Sequence, residues 1–236
     1  MEKKLFRINQ IPALLWGRPS ERVILAIHGS LSHKADAPIQ LLAAAAIPRG
    51  YQVLSFDLPE HGDRREEKTL CMVQPCVEEL NAVMGYAKAR WQHFSLFANS
   101  IGAYFSLLAY QGEPLERALF LSPLVDMERM IGNMMCWFSV SEERLRVEGA
   151  IPTPMGQTLY WEDYRYVKEH PVSAWSAPTH ILYGAKDTVC ERDTIEAFTQ
   201  RFHCGLTVIP EAEHYFHTPD QLEALSAWLA ITLEHS

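Results

Sequence analysis

FSLFANSIGAYFSLLAY, residues 94–110, changes its period halfway along. FSLF is a short apolar run bounded by polar residues, as a buried strand is, whereas from Ile101 onward Tyr104, Leu107 and Leu108 recur at helical spacing. The segment therefore reads as strand, tight turn and helix, with Ser100 at the turn. Gly102 two residues later and Ala98 two residues earlier leave room for a sharp bend. A serine so placed stands at the tip of a strand and faces the N-terminus of the following helix, the arrangement called a nucleophile elbow. The usual pattern G-x-S-x-G is here A-N-S-I-G, with alanine in the first glycine position. Taken alone, the segment also accommodates a serine that only caps a helix over 101–111. The rest of the chain decides between the two.

The surrounding pattern is regular. Strand-like runs fall at 23–28 (VILAIH), 51–56 (YQVLSF), 94–98, 117–122 (RALFLS), 179–184 (THILYG) and 206–209 (LTVI). Helical patterns lie between them at 38–47, 77–89, after Ser100, at 192–202 and from Asp220 to Leu233. Such alternation is the signature of an α/β protein with a mostly parallel twisted sheet, helices on both faces and ligands at the carboxyl ends of the strands. LFRI and ALLW, at 5–8 and 13–16, predict an antiparallel hairpin at the sheet edge.

The alternation breaks once, between about Met127 and Val172. This stretch holds five of the eight methionines with Trp137, Phe138, Tyr160, Trp161, Tyr164 and Tyr166. Met127, Met130, Ile131, Met134 and Phe138 form a stripe at helical spacing, so at least one amphipathic helix is expected. The segment is too short for an independent domain and too long for an ordinary connection. The expected organisation is a core domain, 1–126 and 173–236, with a helical lid inserted at 127–172, where Met130 and Met134 contact substrate or simply pack on the core.

Composition narrows the partners. The chain has 236 residues, 48% of them hydrophobic, enough for one large domain with a substantial core. A net charge of −8 and no Lys/Arg block longer than two residues argue against nucleic acid and anionic membrane surfaces. Arg7, Asn9, Gln10 and Pro12 interrupt any apolar signal core at the N-terminus, and no run approaches the ~18 apolar residues of a membrane span. The five cysteines, at 71, 76, 136, 190 and 204, are scattered and odd in number, which predicts reduced thiols in a cytoplasmic setting. Cys71 and Cys76 have no second pair or nearby histidine in sequence to complete a metal site, and ordinary packing is expected of them.

Activating a serine hydroxyl needs a base, a carboxylate to orient it, and donors for the oxyanion. Asp187 follows THILYG in a loop, and His214 follows LTVI in the loop before the last helix. The order Ser100, Asp187, His214 is serine, acid, histidine. His28-Gly29 leaves the first long strand, so that the backbone N–H of Ser30, or of Leu31, can join that of Ile101 in an oxyanion hole. Asp126, after RALFLSPLV, is a rival acid, and His217 a rival base; His28 and His61 read as organisers of their turns, and His180 as a strand residue.

HGS at 28–30, DLPEHGDR at 57–64, ANSIG at 98–102, GAKDTV at 184–189 and EAEHYF at 211–216 together resemble the α/β-hydrolase superfamily over nearly the whole chain outside the insert. Two positions depart from its common pattern, Ala98 and Glu213, where glycine is usual. The resemblance implies an eight-stranded sheet with Ser100 as nucleophile, His214 as base and Asp187 as its partner, and no cofactor or metal. The expected activity is cleavage of a small-molecule carboxylic ester through an acyl-enzyme. A thioesterase, a serine peptidase and a binding protein that has lost turnover are the alternatives on the same residues.

Overall fold

The computed structural model describes residues 2–154 and 156–234. A hairpin, β1 (Lys3–Ile8) and β2 (Ile11–Trp16), opens the chain, and β3 (Arg22–Ile27), α1 (Ala37–Ala46), β4 (Tyr51–Phe56) and α2 (Val73–Lys88) follow. The central β5 (His93–Asn99), α3 (Ile101–Ala109) and β6 (Leu115–Leu121) lead into the segment 127–169, which holds α4 (Met127–Trp137), α5 (Glu142–Glu148), β7 (Ala150–Pro152), β8 (Thr158–Tyr160) and α6 (Trp161–Glu169). The chain ends with β9 (Thr179–Gly184), α7 (Arg192–Phe202), β10 (Gly205–Ile209) and α8 (Pro219–Glu234). The main sheet has eight strands in the order β1-β2-β4-β3-β5-β6-β9-β10; β7 and β8 form a separate antiparallel ribbon. β1 and β2 join antiparallel, and every pairing from β4 to β10 is parallel.

Both faces of the sheet are covered, which is why its strands read as unbroken apolar runs. Val23, Leu25 and Ile27 of β3 join a core with residues of α2, α3 and α7, while Ile24 and Ala26 pack on the opposite face with Ile39 and Leu42 of α1 and Leu225 and Leu229 of α8. The period of two in the strand thus divides the interior into two layers.

The N-terminus of α2 lies four residues before the apolar pattern at 77–89. Its Val73 N–H donates to the Asp163 carboxylate of α6 at 2.7 Å, a cap supplied from far along the chain. Pro75 is tolerated there because first-turn amides have no partner inside the helix. Among the described residues no helix is long and apolar enough to cross a membrane, and all five cysteines are free.

Candidate active site

The turn after β5 is held open by backbone strain and closed by its neighbours. Ser100 has φ 52° and ψ −121°, a region that costs an L-residue about 1–3 kcal/mol. Its N–H donates to the Leu121 carbonyl at 3.0 Å, and its own carbonyl accepts from Leu124 N–H at 3.0 Å, so the end of β6 fixes the turn from both sides. α3 must then run close beneath β3. A Cβ on Gly102 would lie 2.6 Å from the His28 carbonyl oxygen and 2.7 Å from Ile27 Cγ2, so the position has no space for a side chain.

His214 and Asp187 come from the loops after β10 and β9, and backbone hydrogen bonds join those loops. Lys186 N–H donates to the Ala212 carbonyl at 2.9 Å, and Ala185 N–H to that of Ile209 at 2.9 Å. Gly184 permits the approach: a Cβ there would stand 2.4 Å from the Ala212 carbonyl oxygen. The result is a continuous contact, with Ser100 Oγ 2.8 Å from His214 Nε2 and His214 Nδ1 2.7 Å from Asp187 Oδ2. The Asp187 carboxylate is buried, and its other oxygen accepts from the N–H groups of Val189 at 2.8 Å and Cys190 at 2.9 Å.

The structure therefore brings Ser100, His214 and Asp187 together. Asp126 is elsewhere: exposed at the start of α4, it accepts from Arg129 N–H at 2.9 Å and caps that helix. His217 turns to the Tyr215 carbonyl at 2.7 Å and stacks on the Tyr215 ring. His180 is exposed on β9. Neither unusual residue of the pattern obstructs the turns. Ala98 is a buried strand residue paired with Ile27 and Phe120, and Glu213 points to solvent without a left-handed φ, so glycine is not required at 213.

Gly29 packs against the same turn, since a Cβ on it would be 3.1 Å from Ser100 Cβ. Ser30 follows it at the surface, and Ile101 opens α3, where its N–H has no carbonyl a turn earlier to meet. His28 organises this loop. Leu58 N–H donates to its Nε2 at 3.0 Å, so Nδ1 carries the hydrogen and donates to the Gly29 carbonyl at 2.7 Å. Burial holds the imidazole neutral and lowers its pKa to about 4. A second support lies behind it. Lys34 donates to Asp57 through both its backbone N–H, at 2.8 Å, and its ammonium, at 2.6 Å, and the ammonium also reaches Asp63 at 2.8 Å. Burial disfavours the ammonium, but the bonds to Asp57 and Asp63 outweigh it and the Lys34 pKa is raised. Sequence reasoning missed this network; a lysine and an aspartate 23 residues apart carry no local signal.

Met134 is buried and Met130 half-buried, both against the main core, with Met127, Ile131 and Met135 beside them. A cavity of about 390 Å³ between α4, the segment after α6, and α7 is lined by Met127, Tyr104 and Phe198, with neither Met130 nor Met134 on its wall. Among the described residues one group, Asp187, Cys190 and His214, has donor atoms close enough to hold a metal, all within 4.8 Å of one another. Asp187 and His214 are already engaged with each other, and burial pushes the Cys190 thiol up, away from the thiolate a metal needs.

An eight-stranded, mostly parallel sheet with helices on both faces, a strained serine turn after the central strand and acid and histidine loops at neighbouring strand ends make this the α/β-hydrolase fold. No protein-family model and no curated protein matches the sequence. Among solved structures it is similar to alpha/beta hydrolase domain-containing protein 10 from mouse, at 11% identity over 100% of this chain and 99% of that one, with a TM-score of 0.80. It is similar too to Est1E from Butyrivibrio proteoclasticus with ferulic acid bound, at 19% identity over 98% of each chain and a TM-score of 0.77. The Pyrococcus furiosus esterase Pf2001 matches at 17% identity over 99% of this chain and 91% of that one, with a TM-score of 0.69. At these identities the likeness is one of fold.

Proposed function

We propose that this chain is a serine hydrolase that cleaves carboxylic esters through an acyl-enzyme. The observation that carries the reading is the unbroken relay from Ser100 Oγ through His214 to Asp187, with contacts of 2.8 and 2.7 Å. Asp187 accepts from His214 Nδ1–H, which leaves the lone pair of Nε2 facing the serine hydroxyl. Ser100 attacks the ester carbonyl as His214 takes its proton. The N–H groups of Ser30 and Ile101 receive the oxyanion, and His214 returns the proton to the departing alkoxide. Water, deprotonated by the same imidazole, then releases the acid, and the chemistry calls on no cofactor. An ester rather than an amide is favoured by the fold's likeness to an esterase and to a protein with a bound carboxylic acid.

The segment 127–172 serves as the lid in this reading. Its root supports the assignment: Leu124, three residues before α4, donates its N–H to the carbonyl of Ser100, so movement of α4 is coupled to the turn. Met130 and Met134, which pack against the main core, are assigned to the acyl site only if the lid shifts to bring them to the substrate. The direct test is a fluorophosphonate probe with p-nitrophenyl esters. Ser100 should be labelled and turnover observed, and Ser100→Ala should lose both while keeping its melting temperature. Absence of labelling and turnover in the folded parent protein would reduce the chain to a binding protein on this fold.

A further inference from the structure

One reactive cluster has no part in that chemistry. Cys71 precedes α2 and Cys76 lies in its first turns, with their sulfurs 3.8 Å apart. Cys71 is half-buried and Cys76 is buried. His61, from the loop after β4, lies beside Cys71 and favours its thiolate electrostatically. Its Nδ1 lies 2.7 Å from the Pro59 carbonyl, which can only accept, so Nδ1 carries hydrogen and Nε2 is the nitrogen left for the thiol. The backbone here is pinned: Cys71 N–H donates to the Glu60 carboxylate at 2.7 Å, and Val73 N–H to Asp163 at 2.7 Å.

We propose that Cys71 and Cys76 form a peroxide-sensitive thiol pair, with Cys71 as the reacting sulfur, His61 as its proton partner and Cys76 as the resolving thiol. A disulfide needs about 2.05 Å between sulfurs, so the pair must close by less than about 2 Å. The electrostatics divide the two roles. The hydrogen bond from Cys76, then the attraction of His61, prevail over burial and bring the Cys71 thiol down to about 6. Burial and the neighbouring Cys71 hold Cys76 well above the ordinary thiol range. Burial disfavours the His61 imidazolium, but Cys71 and the bond to Pro59 raise its pKa all the same. Glu60 faces Cys71, and Glu79 and Asp163 are the acidic neighbours of Cys76; Glu79 is already neutralised by the Arg64 guanidinium at 2.5 and 2.7 Å, which leaves His61 as the cation beside Cys71.

With hydrogen peroxide as oxidant, the Cys71 thiolate attacks one oxygen. The S–O bond forms, the O–O bond breaks, and the hydroxide that leaves takes the His61 proton to become water. Cys71 is thereby oxidised by two electrons to the sulfenic acid. The Cys76 sulfur then attacks the Cys71 sulfur; the S–S bond forms, the S–O bond breaks, and the hydroxyl departs with the Cys76 proton as a second water. A dithiol reverses the change by exchange and is itself oxidised to its disulfide. The pair lies close to the oxyanion loop, because the His61 ring packs on His28, 5.2 Å between centroids, and His28 holds the Gly29 carbonyl.

The test uses the reduced full chain, hydrogen peroxide, alkylation and tryptic mass mapping. Residues 69–88 contain both cysteines and no internal Lys or Arg, so they form a single peptide. That peptide is expected to escape alkylation and to weigh two hydrogens less at peroxide doses that leave the exposed Cys136 fully alkylated, and dithiothreitol should restore it. In Cys76→Ser, Cys71 should instead yield a dimedone adduct. The pH midpoint for alkylating Cys71 should lie near 6 and rise in His61→Gln toward the ordinary value of about 8.5. Oxidation of Cys136 ahead of an unmodified 69–88 peptide would overturn the proposal, and so would an ordinary midpoint for Cys71. Both readouts are independent of ester turnover, so the hydrolase reading and the thiol pair stand or fall separately.

Discussion

Replacing Asp187 by asparagine changes one atom pair and tests the relay by its hydrogen-bond logic. Asp187 Oδ1 accepts from two backbone N–H groups, those of Val189 and Cys190, while Oδ2 faces His214 Nδ1 at 2.7 Å. An asparagine that keeps its oxygen on the two donors must turn its NH₂ toward Nδ1. His214 is then driven to the tautomer with hydrogen on Nε2, and it cannot accept the Ser100 proton. The flipped amide would preserve the productive tautomer, but it points NH₂ at the Val189 and Cys190 donors. Leaving a buried donor unpaired costs about 1–3 kcal/mol, which keeps the flipped form roughly 5–150-fold in the minority. Loss of the carboxylate charge that stabilises the imidazolium adds to this deficit. The combined fall in kcat is expected near the ~10⁴ measured for such a change in a serine protease triad, or about 5.4 kcal/mol. The assay is kcat and KM on p-nitrophenyl acetate, with the melting temperature measured alongside to establish folding. KM should move little. Asp126→Asn should leave kcat near normal, because asparagine also caps a helix. A loss below tenfold in Asp187→Asn, or a larger one in Asp126→Asn, would refute the reasoning.

Three other outcomes are expected. If Met130 and Met134 line the acyl site, kcat/KM should rise with acyl length, by about 0.8 kcal/mol per CH₂ buried, and then level off; alanine at either position should move that optimum but spare the acetyl ester. Uniform loss with a lowered melting temperature would make these methionines ordinary core. Gly184→Ala places a methyl 2.4 Å from a backbone carbonyl that cannot swing aside, so about 1–3 kcal/mol of stability and roughly 3–10 °C in Tm should be lost; an unchanged Tm would count against the close approach. His28, lowered by burial from 6.5 to about 4, contributes stability that is present above pH 6.5 and lost as pH falls through 4. Asp163, raised by burial from 3.8 to about 6, contributes stability that is present below pH 3.8 and lost as pH rises through 6. Asp163→Asn should therefore make the urea midpoint fall more steeply on acidification from pH 6.5 to 4 than in the parent; identical profiles would disprove the opposition.

What could be read from the sequence, and what could not, divides by the range of the interactions. The change of period around Ser100 is local, and so are the apolar runs; both predict elements that the structure contains, including the edge hairpin and the parallel sheet. Asp187 and His214 could be selected as candidates because each follows a recognisable strand, although which carboxylate meets His214 depends on β6, β9 and β10 lying side by side. The helix starts and loop supports follow a different rule. α2 begins at Val73 because Asp163 caps it, and the His28 loop is held by Leu58, so in each case the partner lies tens of residues away with no period to announce it. The three-residue strands β7 and β8 are likewise too short to have a readable alternation. The same limit hid the thiol pair. Five residues of spacing between Cys71 and Cys76 read as packing, and His61 as a turn organiser. His61 does organise its turn through Pro59, but the same tautomer leaves its second nitrogen for a thiol, and that chemistry exists only after β4 and α2 have been brought together. Polar groups far apart in sequence acquire their reactivity from the fold, so the residues whose function sequence reading most underestimates are those whose local role already suffices to explain them.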